Sequence, residues 1–418
     1  MKKIKFLSLA LGALLMSACS SNEDATLNDE AGVQRIVLSV ENAGSGLKAR
    51  AGRELLSSEA KQSIENVKVV IVNSSNSIVK VKEITDWNTS ATNYTTGGHG
   101  KMQEWVLAGD ERLSAGSYTV YAFGYHTGTA YSDLGMAALT VGSTFNGNKV
   151  ISTANVYAEE IFAGSIQFTL TNDKEALKTN IVLHRQVAGV FAYLKSIPYV
   201  AGAKYLRLYA SDNKKQLCLG NFAPATGELA NNGTGNTNNK VINCAGAYTG
   251  KTKILEADLA SWFSAIAEDA NHCIDATNWI TAGHDNFTSG SVFMGNFIVP
   301  FQTDATNTTF VLELQDNAGT VLRSWNIKLP AAEALTTATT ITAWNGTAWA
   351  DNAAYTETTS AYSIFRNHLY GVGKKFTDTK NDDPTDPEKD DPVDLNTKET
   401  LILKVNDNWE VLHTMEVE

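Results

Sequence analysis

Alternation of apolar and polar positions, two residues to the repeat, organises most of this chain into short runs bounded by turn-forming residues. Ile36, Leu38 and Val40 alternate inside Val33 to Glu41 (VQRIVLSVE), the pattern of a half-buried strand. Val67 to Val72 is a continuous β-branched run. Ser77 to Ile84 is its expected hairpin partner, because Asn73 to Asn76 supplies turn chemistry. Gln103 to Leu107, Tyr118 to Tyr125, Ile161 to Leu170 and Ile181 to Leu194 complete a first set of strands. A second set follows at Tyr205 to Ala210, Gln216 to Leu219, Val292 to Val299, Thr309 to Leu314, Thr320 to Leu329 and Ala361 to Val372. The expected division lies near Lys195 to Gly202, where Pro198 and Gly202 punctuate. One segment breaks the rhythm: Leu255, Leu259, Trp262, Phe263 and Ile266 fall on one face at helical spacing, which predicts a helix over Leu255 to Ala267. Strands at this spacing with turns between them point to β-sandwiches.

The last twenty residues, Glu399 to Glu418, are also strand-like. Trp409, Val411, Met415 and Val417 alternate with Glu410, Thr414, Glu416 and Glu418, with Leu412 and His413 blurring the pattern. Before them, Thr377 to Lys398 holds three of the seven prolines of the chain with seven aspartates and one glutamate. That composition predicts an extended, self-repelling linker. A lone strand on a tether cannot stabilise itself. It needs a sheet edge in its own molecule or a neighbour, and strand addition to an exposed edge is an established mode of association. The chain therefore looks like an assembly subunit.

Length and composition sharpen this picture. At 418 residues with 43% hydrophobic residues, more than one packed domain is expected. A formal charge of −11 argues against a nucleic-acid partner. Lys2, Lys3 and Lys5 precede an apolar stretch from Phe6 to Met16, as in a signal peptide. Leu15-Met16-Ser17-Ala18-Cys19 then resembles a bacterial lipobox, in which Cys19 is acylated and becomes the new N-terminus. Two acyl chains suffice for stable membrane attachment. Cys218, Cys244 and Cys273 remain. Cys218 and Cys244 could pair, but three thiols make no disulfide framework, and buried small hydrophobes are the expected role. The glycine-rich stretch from Gly44 to Arg53, carrying Lys48, Arg50 and Arg53, reads either as an ordinary interstrand loop or as a site for a trypsin-like protease.

Catalytic signatures are missing: no G-x-S-x-G, H-E-x-x-H or C-x-x-C occurs, and Gly97 to Lys101 lacks phosphate-loop spacing. No cofactor or metal is expected. His272, Cys273, Asp275 and His284 match no zinc spacing, and the linker aspartates match no calcium loop. Of the eight tryptophans, Trp325 in a strand and Trp344 and Trp349 flanking a turn suit core or staple roles better than a sugar platform.

Five landmarks give the sequence a resemblance. They are the lipobox at Cys19; Arg50-Ala51-Gly52 after the first strand; Ser114-Ala115-Gly116 leading into Tyr118-Thr119-Val120-Tyr121-Ala122; Phe162-Ala163-Gly164 before Leu183-His184-Arg185-Gln186-Val187-Ala188; and Arg366-Asn367-His368-Leu369-Tyr370-Gly371-Val372 ahead of Trp409-Glu410-Val411-Leu412-His413. In this order they resemble the lipoprotein-derived type V pilins of Bacteroidales, the stalk subunits of minor fimbriae. The resemblance implies an all-β chain of two tandem transthyretin-like Greek-key β-sandwiches with a C-terminal donor strand, and no enzymatic activity. It divides the chain into a signal peptide (1–18), a lipidated propeptide (19–50), sandwiches at 51–197 and 198–376, an acidic linker (377–398) and a donor strand (399–418). It implies that an arginine-specific, trypsin-like protease cuts between Arg50 and Ala51, removing the strand of Ile36, Leu38 and Val40. The emptied groove would take a neighbour's Leu401, Leu403, Val405, Trp409, Val411, Met415 and Val417. The implied partners are copies of the chain, accessory or anchor subunits and the protease. The implied locations are the outer membrane for the precursor and a surface fimbrium for the product, serving adhesion and biofilm formation. A tip or accessory adhesin, or a monomeric glycan-binding surface lipoprotein, are the rival readings. A chain lacking Lys398 to Glu418 is expected to fold but not polymerise.

Overall fold

A computed structural model of the chain describes residues 33–40, 63–93, 101–126, 139–145, 147, 149–152, 158–173, 175–211, 214–219, 240–242, 244–247, 250–301, 310–328, 341–344, 349–352, 364–386, 389–398, 400–402 and 404–406. The fold is all-β. Its first half contributes β1 (Gln34–Val40), β2 (Asn66–Asn73), β3 (Ile78–Ile84), β4 (Thr92–Asn93), β5 (Lys101–Leu107), β6 (Gly116–Tyr125), β7 (Lys149–Ser152), β8 (Ile161–Leu170), β9 (Leu177–Val182) and β10 (His184–Arg185).

Two sheets form the first sandwich, in the orders β4-β5-β1-β9 and β10-β8-β6-β2-β3. Their shared core joins Ile36, Leu38 and Val40 to Val67, Val69, Ile71, Val120, Ala122 and Phe162, with Trp87 and Trp105. β2 is buried on both faces: Val70 and Val72 join a second core shared with the rest of the chain. This double burial is why its sequence is continuously apolar, where a half-buried strand would alternate. The β2–β3 hairpin forms as expected. Asn73 Oδ1 accepts from the N–H groups of Ser75 and Ser77, each at 3.0 Å, and Asn76 takes the left-handed conformation at φ 59°.

The second half contributes β11 (Ala188–Lys195), β12 (Tyr205–Ala210), β13 (Lys214–Leu219), β14 (Lys240–Ile242), β15 (Cys244–Ala247), β16 (Thr252–Asp258), β17 (Ser291–Ile298) and β18 (Phe310–Gln315). These are followed by β19 (Val321–Lys328), β20 (Ile341–Trp344), β21 (Trp349–Asn352), β22 (Leu369–Val372), β23 (Val393–Asp394), β24 (Thr400–Ile402) and β25 (Lys404–Asn406). Sheets β17-β11-β22-β25 and β16-β12-β18-β19-β24 enclose the larger core, and further described strands form two three-stranded sheets, β15-β13-β7 and β14-β20-β21.

Three expectations are corrected: the helix over Leu255 to Ala267, the free acidic tether and the detached C-terminal strand. The change of strand partners falls between β10 and β11, ahead of Lys195 to Gly202, because β11 pairs along its whole length with β17 and also with β22. The halves also interlace, since β7 pairs with β13 and Ala158 bridges Phe297. The helix expected over Leu255 to Ala267 is strand β16 followed by a 3-10 turn at Leu259–Ser261. Leu255, Leu259, Trp262 and Phe263 are all buried, but pairing of β16 with β12 fixes the backbone as extended. Asp258 then caps the turn by accepting from the Ala260 N–H at 3.0 Å.

The acidic segment is not a free tether. Lys375 Nζ reaches Asp390 Oδ2 at 3.0 Å in a fully buried pair. β23 pairs with β11, Leu395 is buried, and Trp325 Nε1 donates to the Leu395 carbonyl at 3.3 Å. Nor is the C-terminal strand detached from its start: β24 pairs in parallel with β19 and β25 antiparallel with β22, and Leu401 is buried in the chain's own core.

Candidate functional site

The N-terminal strand sits in the middle of its sheet. β1 is antiparallel to β5, with Ile36 opposite Trp105 and Leu38 opposite Gln103, and parallel to β9, with Ile36 opposite Thr179 and Leu38 opposite Ile181. Ile36, Leu38 and Val40 are each 0% exposed. Their burial contributes about 1.5–3 kcal/mol apiece. On the other face Arg35 Nη1 pairs with Glu104 Oε2 at 2.8 Å, a half-exposed bridge of minor energetic weight. The β1 ends are also tied: the Leu177 N–H donates to Val33 O at 3.3 Å and the Leu183 N–H to Ser39 O at 2.8 Å.

Withdrawal of β1 would leave β5 and β9 without their shared neighbour and open the core from Ile36 to Val40. Such a slot presents unpaired strand edges. It can take another strand or collapse.

The Gln34 side chain was not singled out in the sequence. It is completely buried, donating from Nε2 to the Leu113 carbonyl at 3.0 Å and accepting from the Leu113 N–H at 2.7 Å. The available signal was a polar residue on the same phase as Ile36, Leu38 and Val40. Glu160 was likewise missed. Its carboxylate accepts from Arg185 Nε at 2.7 Å, from the Ser63 N–H at 2.9 Å and from Ser63 Oγ at 2.6 Å. The Arg185 guanidinium also lies 4.9 Å from the centre of the Phe162 ring. The clamp thus holds the chain at Ser63, on the far side of the segment that follows β1.

Two landmark runs meet at the junction of the halves. Arg366 Nη1 donates to Gln186 Oε1 at 3.0 Å, the Asn367 N–H to Val187 O at 2.9 Å and the Gly189 N–H to His368 O at 2.9 Å. Gly371 is required here, because a Cβ would lie 2.3 Å from the Phe191 ring. Tyr118 closes the Ser114-Ala115-Gly116 turn by donating from its hydroxyl to Ser114 O at 3.0 Å.

Cys218 and Cys273 are buried free thiols. Burial pushes Cys218 up to about 12, with Arg366 opposing, and burial followed by the Asp269 charge raises Cys273. The His272–His284 neighbourhood divides into separate local roles. His272 Nδ1 meets Glu268 Oε1 at 2.6 Å, Asp275 caps a turn at Thr277 N, and His284 stacks on Trp262 at 3.9 Å between ring centres. Among the described residues, no three His, Cys, Asp or Glu side chains gather as a metal requires.

Of the residues expected to act in exchange, Ile36, Leu38 and Val40 fill the slot, whereas Leu401 and Val405 belong to strands of the second half. Cys19, Arg50, Ala51, Leu403, Trp409, Val411, Met415 and Val417 lie outside the described residues.

No family model matches the chain, and no curated protein matches it. Among solved structures it is similar to a fimbrial assembly protein from Parabacteroides distasonis, at 10% identity and a TM-score of 0.38, over 83% of this chain and 92% of that one. A fimbrilin from Porphyromonas gingivalis is similar at 16% identity and a TM-score of 0.35, over 90% and 97%. The tip fimbrial protein of Porphyromonas gingivalis with a C-terminal truncation is similar at 9% identity and a TM-score of 0.36, over 83% and 96%.

Proposed function

We propose that the chain is a structural subunit of a cell-surface fimbria, exported as an outer-membrane lipoprotein acylated at Cys19, without enzymatic activity and serving adhesion and biofilm formation. A trypsin-like protease cuts between Arg50 and Ala51, β1 leaves with the lipid, and a neighbouring copy supplies a strand to the vacated slot. The observation that carries this reading is β1 itself. It is a central strand of the first sandwich, and the next described strand begins at Asn66. The intervening segment holds Lys48, Arg50 and Arg53. A cut there separates β1 from the other described strands in sequence.

The capture of Leu401 and Val405 by the chain's own sheets supports a second reading. With less chain left to donate, the subunit would be a tip or accessory adhesin that accepts a strand without passing one on. N-terminal sequencing and intact mass of the protein from sheared cell-surface material, beside an unheated, non-reducing gel, test both. An N-terminus at Ala51 with a ladder of high-mass species is the outcome expected of a stalk subunit. Ala51 on a single capped species would mark the accessory reading. A lipid-modified Cys19 on a monomer would overturn both.

A further inference from the structure

The slot of β1 is apolar along Ile36, Leu38 and Val40 but ends in a polar lock. Gln34 and the Leu113 main chain form a closed amide–peptide pair, with Nε2 donating to Leu113 O at 3.0 Å and the Leu113 N–H donating to Oε1 at 2.7 Å. Nε2 also lies 3.5 Å from the Glu175 carbonyl. Gln34 is fully buried and Leu113 nearly so, between the 3-10 turn at Gly109–Glu111 and β6. A buried peptide group stripped of its partner loses far more than an average hydrogen bond is worth. An occupant slipped by one residue would present its other face to Leu113.

We infer that the Leu113 main chain gauges register: the slot accepts a second copy's strand only when a side chain that both donates and accepts stands at the Gln34 position, and His413 fills that role. This inference rests on the strand-exchange reading. Along the alternating segment, the core phase reads Trp409, Val411, His413, Met415 and Val417. His413 has two apolar residues on either side. Whichever way the strand runs, a pair of them follows His413 into the places of Ile36 and Leu38. A neutral imidazole carries one N–H and one bare nitrogen on opposite sides of its ring, so it meets either the carbonyl or the N–H of Leu113, where the Gln34 amide meets both.

The test uses the full chain cut after Arg50 and fluorescent peptides of residues 404–418 carrying His413, His413→Gln or His413→Leu. The Gln peptide should bind at least as tightly as the wild-type peptide. The Leu peptide should bind about tenfold or more weakly, the factor that one lost hydrogen bond of typical strength gives. Equal binding of all three overturns the register gauge and leaves strand exchange standing. Failure of every peptide overturns strand exchange, and the gauge with it. In the uncut chain, Gln34→Met should accelerate hydrogen exchange at the Leu113 amide while the β1 amides stay protected. Unchanged exchange at Leu113 would overturn the gauge independently of any peptide.

Discussion

Arg185 is a charged side chain buried in the first sandwich. It is 1% exposed, and it faces Glu160, which is 4% exposed, at 2.7 Å. A buried pair of this kind adds little against an apolar substitute, but removing one partner strands a charge in the core. Arg185→Met should therefore cost about 3–5 kcal/mol in urea unfolding, and adding Glu160→Gln should recover part of it. An unchanged midpoint for the single variant would show that the clamp carries no strain of this kind. Cys218 gives a second check at this scale. Its folded pKa, raised by burial to about 12, stands above the ordinary thiol value, so its contribution to stability is complete below that value and is lost as pH rises through about 12. At pH 8 iodoacetamide should leave Cys218 and Cys273 unlabelled in the native chain and label both in guanidinium. Such residue-scale facts were poorly legible. Arg185 stood in a run that the sequence singled out, but nothing near Glu160 announced its partner.

Several strands, by contrast, were legible from local pattern. β1 follows from period-two alternation, and the β2–β3 hairpin from the continuous β-branched run of β2 and the Asn73 turn. The error at Leu255 to Ala267 has a specific cause: a buried strand running directly into a buried turn places large apolar residues at spacings that mimic a helix. Only pairing with β12, roughly fifty residues earlier, resolves the ambiguity. The acidic segment misled in the same way. Its composition describes repulsion among carboxylates, whereas its placement is set by Lys375, which is buried against Asp390. Burial, ahead of the opposing Lys375 charge, raises the Asp390 carboxyl. Gly164 shows what an element needs that a pattern does not reveal. A Cβ there would lie 2.1 Å from the Val182 carbonyl, a backbone atom of β9 on the opposite sheet. Gly164→Ala should cost about 1–3 kcal/mol or more, since neither backbone can yield freely. Thermal melting would check this, with Gly250→Ala as a variant in open space at φ 74° that probes conformational strain alone.

For the whole molecule, the two chain ends behave differently, and that difference decides how polymerisation must be tested. The N-terminal strand contributes to one core, which meets the other core through shared strands such as β2. The C-terminal region begins inside the second half. Thr400–Ile402 extends one sheet beside β19 and Lys404–Asn406 extends another beside β22, so the chain crosses between layers within a few residues. A truncation at Lys398, the natural choice from sequence, removes a strand from both sheets together with buried Leu401. It should lower the melting temperature as well as abolish assembly, and loss of fibres would then say nothing about strand donation. Truncation after Asn406 keeps β24 and β25 and removes only Asp407 to Glu418. That chain should melt with the full-length protein and, once cut at Arg50, should form no ladder on an unheated gel. A normal ladder from it would sink donation by Trp409 to Val417. A melting temperature lowered as far as that of the shorter chain would place those residues in the chain's own fold.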